Sequence, residues 1–187
     1  MLILVTFQVS TVSAKDLSKD KPKHTAKAIL KNKETNEKVE LPVEIVEHEN
    51  DEGVAVTYVV NVALSLIPEE HYIYDPTGGM GAKLTVTQYY SETWIPNHKV
   101  AIDRTNARWD KYDNTYTISN AKVGSTVWAA DPYMNKTEIS TVGTPSNGAT
   151  YVQTPSWKGI FVVINDFAYQ ESLANSDIRR GSGTIYS

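Results

Sequence analysis

From Val54 to Leu66 the apolar residues fall on every even position: Val54, Val56, Tyr58, Val60, Val62, Leu64 and Leu66. Successive side chains of a strand point to opposite faces of a sheet, so a period of two over this length predicts a long half-buried strand, or two consecutive ones. A helix would scatter the same residues around its circumference. Shorter strands are predicted at Thr25–Leu30, Lys38–Val46, Lys83–Tyr90, Lys99–Arg104, Asn114–Ser119, Val123–Ala129, Glu138–Val142, Thr150–Thr154, Gly159–Ile164 and Asp177–Tyr186. Turn chemistry separates nearly all of them, at Lys33–Glu37, Asp75–Gly79, Pro96-Asn97, Asp113-Asn114, Asp131-Pro132, Pro145–Gly148 and Gly181–Gly183. Pro42 places its strand at an edge or a bulge, and only Phe167–Leu173 invites a helical turn. Many short strands at this spacing predict an all-β chain, an antiparallel β-sandwich. The Gly-rich stretch after Asp75 is a place where a smaller N-terminal sheet could be set off from the rest.

The first fourteen residues break this rhythm with an apolar run that closes on Val12-Ser13-Ala14, small residues suited to signal peptidase. The run is shorter than the roughly 20 residues needed to span a bilayer, so a signal peptide over residues 1–14, cleaved after Ala14, is the expectation. No Lys or Arg precedes Lys15, which points to a precursor shortened at its start. The competing reading is a buried N-terminal strand. Residues 15–24 are polar and lysine-rich around Pro22 and read as a flexible leader, leaving 25–187 as one sandwich domain.

Composition narrows the partners. Of the 187 residues 41% are hydrophobic and 21% charged, which is ordinary for a folded domain, and a net charge of -4 supplies no basic face for phosphates, so nucleic acid is set aside. The chain contains no cysteine, and its length allows a core that needs no disulfide.

Several stretches taken together resemble a known group. Tyr74–Tyr90 (YDPTGGMGAKLTVTQYY), Val100–Trp109 (VAIDRTNARW), Tyr116–Ser119 (YTIS) and Arg180–Tyr186 (RGSGTIY) are similar to uncharacterised secreted proteins of Firmicutes, in which a Gly-rich turn, a Thr/Tyr-rich strand, a strand leading to Trp and a terminal R-G-S strand follow in that order. The resemblance covers the chain from Tyr74 onward and implies export and a β-rich extracellular domain. It implies no activity, and the segment Thr93–Asn97 departs from the pattern.

Candidate chemistry is sparse. His24, His48, His71 and His98 are widely separated, and within Glu47-His48-Glu49 and Glu69-Glu70-His71 adjacent strand residues face opposite ways, so no metal site is expected. Asp103, Asp110 and Asp113 surround Trp109, but their spacing lacks the alternation of a calcium loop and is explained by turn formation. No nucleophile elbow is present; Glu92, Asp103, Asp131, Glu138 and Asp166 remain as candidate acids for glycoside hydrolysis, whose carboxylate pair is set by tertiary structure. The aromatic residues are the best lead, since rings with a polar handle stack on sugar faces.

The expectation is therefore a secreted or envelope-associated binding or structural module, without cofactor or transmembrane span, whose partner is a glycan or cell-wall polymer held at Trp94, Trp109, Tyr112 and Trp157. The alternative is a small extracellular polysaccharide hydrolase. Carboxylates converging in a cleft would favour the hydrolase, and rings on a flat face would favour the binding module.

Overall fold

The computed structural model describes residues 3–12, 23–50, 53–63, 80–93, 97, 99–128, 133, 135–163 and 169–180. Their regular structure is entirely β, in twelve strands: β1 (Ile3–Val12), β2 (Lys23–Asn32), β3 (Lys38–Leu41), β4 (Val43–Asn50), β5 (Gly53–Ala63), β6 (Met80–Thr93), β7 (Lys99–Lys111), β8 (Tyr116–Trp128), β9 (Lys136–Gly143), β10 (Thr150–Gln153), β11 (Val162–Val163) and β12 (Tyr169–Arg180). Two six-stranded sheets result. Sheet A runs β3-β2-β1-β12-β8-β9, and sheet B runs β10-β7-β6-β5-β4 with β11 added on β7. The pairings are antiparallel, so the predicted antiparallel sandwich is what forms.

The even-numbered apolar run becomes β5, whose Val56, Tyr58, Val60 and Val62 are fully buried. They meet Leu84, Val86 and Tyr90 of β6, Trp109 of β7, and Leu30, Ile118, Val123 and Ile178 of sheet A in one core between the sheets. Residues 64–79, including the Asp75–Gly79 turn, lie outside the described residues. The N-terminal strands form no sheet of their own. Pro42 has no N–H to offer a ladder, and the chain changes sheets there: β3 pairs with β2 in sheet A, whereas β4 pairs with β5 in sheet B. The turn between β2 and β3 is fixed by Asn32, whose Oδ1 accepts from the Glu34 and Thr35 amides, and by Asn36 at φ 61°.

Strands β7, β8 and β12 differ from expectation because a bulge or a polar core position hides the period of two. Strand β7 does not stop at Arg104. Its register with β6 slips between Tyr89 and Tyr90, so buried positions pass from even (Val100, Ile102) to odd (Thr105, Ala107, Trp109). Strand β8 is one strand where two were expected, because Asn120 at φ 50° shifts parity from Tyr116 and Ile118 to Ala121, Val123 and Val127. The helical turn expected around Phe167–Leu173 is, from Tyr169 on, part of β12.

The segment expected to be an export signal also has a place in the sheet. Ile3–Val12 runs antiparallel to β2 over ten paired positions and to β12 over eight. Sheet A therefore begins well before Thr25, the expected start of the domain. Its sequence alternates in a way a uniform apolar run does not: Val5, Phe7 and Val9 interleave with Thr6, Gln8 and Ser10.

Candidate functional site

Of the four aromatic residues expected to hold a ligand, two are closed to solvent. Trp109 is 1% exposed, its Nε1 donates to Ser176 Oγ of sheet A (3.1 Å), and its ring lies edge-on to Tyr151. Trp157 is 2% exposed in a satellite core with Val127 and Val162. The hollow beside it, lined also by Lys136 and Ile160, measures about 10 Å³, room for no more than a water. Neither ring offers a face to a sugar. Tyr112 is 52% exposed and takes a hydrogen bond from Lys83, which holds that ammonium above the usual lysine value. Trp94 lies outside the described residues.

The candidate acids are engaged locally where they are described. Asp103 Oδ2 accepts from Ser91 Oγ at 2.8 Å. Glu138 is clasped by Ser156 through both its amide and its hydroxyl. Asp110 is held by Arg108 (2.8 Å) and Lys83 (3.7 Å), and Asp113 caps its own turn by accepting from Thr115. Asp131 and Asp166 lie outside the described residues. Among the described residues no group of three or more His, Asp and Glu is placed to hold a metal ion.

What the fold does assemble is a polar array on the outer face of sheet B. Even positions of β6 (Leu84, Val86, Gln88, Tyr90) are buried, so Lys83, Thr85, Thr87 and Tyr89 face outward. Register then lines up three rows across neighbouring strands. Thr57, Thr87, Asn106 and Val152 form one; Val59, Thr85, Arg108 and Thr150 the next; Ala55, Tyr89 and Arg104 the third. Cross-strand partners lie about 5 Å apart, so the three rows form one continuous patch.

Local bonds fix its side chains. The Thr57 and Thr87 hydroxyls are 3.1 Å apart, and the Arg104 guanidinium stacks on Tyr89 at 3.8 Å from the ring centroid. Stacking holds the planar five-donor fork of arginine in one orientation on the sheet face. Asn106 Oδ1 is enclosed and has no hydrogen-bond partner. The expectation had centred on loop tryptophans. The available signal was the alternation of Thr and Tyr with apolar residues along 83–90, where a merely solvated face would carry Lys and Glu.

A second cluster lies inside the sandwich. His24 of β2 is buried against Tyr90 of β6, with Nε2 3.0 Å from the tyrosine hydroxyl and 3.6 Å from Glu47 Oε1 of β4. Burial lowers the His24 pKa, outweighing the pull of Glu47 and Glu92. The same enclosure raises that of Tyr58. A group whose folded pKa lies below its unfolded value resists the proton that the unfolded chain accepts, so stability falls as pH drops below about 6.5. Urea midpoints at pH 7.5 and pH 5.5 should differ in that sense, and His24→Gln should remove most of the difference. With no protonation at position 24 to drive it, a variant that kept the full acid loss would assign the effect to other titrating groups instead. Comparison of this chain with protein families, with characterised proteins and with solved structures finds no match to any of them.

Proposed function

We propose that the protein is an exported binding module whose ligand is an extended glycan laid along the outer face of sheet B. The observation that carries this reading is the polar array of Thr57, Thr85, Thr87, Tyr89, Arg104, Asn106 and Arg108, set side by side by register. Hydroxyls, an amide and two guanidinium groups on one sheet face suit a polyhydroxylated chain. Export is part of the same reading, supported by the small-residue flank at Val12–Ala14 and tested by N-terminal sequencing of the secreted product.

Affinity electrophoresis in gels containing neutral glucan, xylan or mannan, or acidic polygalacturonate, tests the ligand class. Tyr89→Ala and Arg104→Ala change outward positions and should leave folding intact, yet each is expected to weaken retardation about tenfold or more, the loss of one to two good polar contacts. Trp157→Phe should bind as the parent does. Equal retardation of all these proteins, or retardation by none of the polymers, would remove the sheet face as a glycan site.

A further inference from the structure

We infer that the gap in sheet A between β2 and β12 is a strand-acceptor site, occupied by Ile3–Val12 in the full chain and, once that segment is removed, by an extended strand from another exported chain. The inference rests on the export reading above, because the segment that ends in the signal-peptidase flank is also the third strand of a six-stranded sheet. A signal is removed during export, before the chain folds outside the cell. The mature chain would then fold without β1.

The consequences follow from register. Strand β2 would lose its ladder at ten positions and β12 at eight, leaving two facing strand edges with unpaired N–H and C=O groups. Between those edges the core would be opened beside Ala28 and Leu30 on one side and Ala174 and Ile178 on the other, all now buried. The gap cannot simply close. Both strands are antiparallel to β1 and hence parallel to each other. Pairing them directly would draw the β2–β3 hairpin inward by about one strand spacing, roughly 4.8 Å, while Pro42 ties that hairpin to β4 in the other sheet.

The chemistry of the occupant is set by the same register. Ile3, Val5, Phe7 and Val9 stand opposite Asn32, Leu30, Ala28 and Ala26 of β2 and opposite Ile178, Ser176, Ala174 and Ser172 of β12. An incoming strand must therefore run antiparallel to both neighbours and carry apolar residues at those alternate positions, with polar residues between, as in β-strand addition. A one-residue slip would reverse the pattern and be rejected.

The test uses the full chain with a specific protease sequence placed between Ala14 and Lys15, folded intact and then nicked. A labelled peptide of residues 3–12 is added in excess, beside a control peptide in which Val5, Phe7 and Val9 are exchanged with Thr6, Gln8 and Ser10. The expected result is that the nicked segment stays bound, that labelled peptide replaces it at one per chain, and that the control competes at least tenfold more weakly. Loss of the nicked segment with an unchanged urea midpoint would overturn the inference, as would failure of the labelled peptide to enter, or equal competition by the control. N-terminal sequencing separates the two claims. A secreted protein that begins at Met1 removes the export reading and confines the slot to its own strand, whatever the exchange result.

Discussion

Trp109→Ala is expected to destabilise the fold by about 3–5 kcal/mol, the range for truncating a fully buried aromatic side chain. The ring is enclosed between the sheets, opposite Leu84 in the β6–β7 ladder and edge-on to Tyr151, and its indole N–H donates across the interface to Ser176 of β12. Removing it opens a cavity that two antiparallel ladders cannot collapse to fill, and leaves the Ser176 hydroxyl without that bond in a buried position. Trp109→Phe keeps most of the volume and should cost less than half as much. Urea unfolding followed by far-UV circular dichroism measures both. A Trp109→Ala protein with an unchanged midpoint would mean that the ring is not part of the core.

Gln170→Leu should be nearly as damaging, at about 2–6 kcal/mol, because it orphans two buried backbone groups at about 1–3 kcal/mol each. Strand β10 pairs with Thr105–Arg108 and β11 with Lys99–Val100, so neither covers the stretch of β7 between them. The Gln170 amide works there in place of a strand: its Oε1 accepts from Ile102 N–H and its Nε2 donates to Val100 C=O, both at 2.7 Å. Leucine fills the same space and can make neither bond. Hydrogen exchange gives a residue-level check, since the Ile102 amide should lose protection in the variant ahead of its neighbours. Full protection at Ile102 would show that the amide is held by another group.

These two residues also mark where the sequence was and was not legible. The class of fold was readable because β5 and β6 keep the period of two through their centres, with Val56, Tyr58, Val60, Leu84 and Val86 buried in turn. Strand β12 was not readable, because its inward positions are Gln170, Ser172, Ala174 and Ser176, three of them polar. Their burial depends on partners far along the chain. Thr105 Oγ1 lies 2.9 Å from Ser125 Oγ and 2.7 Å from Ser172 Oγ, and Ser125 donates to Gln153 Oε1 at 2.6 Å. A hydroxyl network of this kind offsets its own desolvation only in the assembled fold, so no local pattern announces it.

The burial of Trp109 was hidden for a related reason. Tryptophans beside turns look like ligand platforms, yet Trp109 falls on the buried parity of β7 only because the strand bulges near Asp103, a shift no propensity reveals. The array on sheet B needed register as well, since Tyr89 meets Arg104, and Thr87 meets Asn106, only through that same bulged pairing. Asp177 adds a third case of long-range assembly. Burial raises the pKa of its carboxyl, but hydrogen bonds from Lys33 and Asn120 and the charges of Lys33 and Lys122 outweigh this and lower it overall, joining the β2–β3 turn to β8 and β12.

The central claim, that the outer face of sheet B is where this protein meets its ligand, is most directly tested by backbone amide chemical shifts recorded during titration with whichever polysaccharide retards the protein. Shifts are expected to be confined to Thr57, Thr85–Tyr89 and Arg104–Arg108, with little change around Trp157. Shifts centred on the segment from Ser156 to Val163, or spread over both sheets alike, would contradict it.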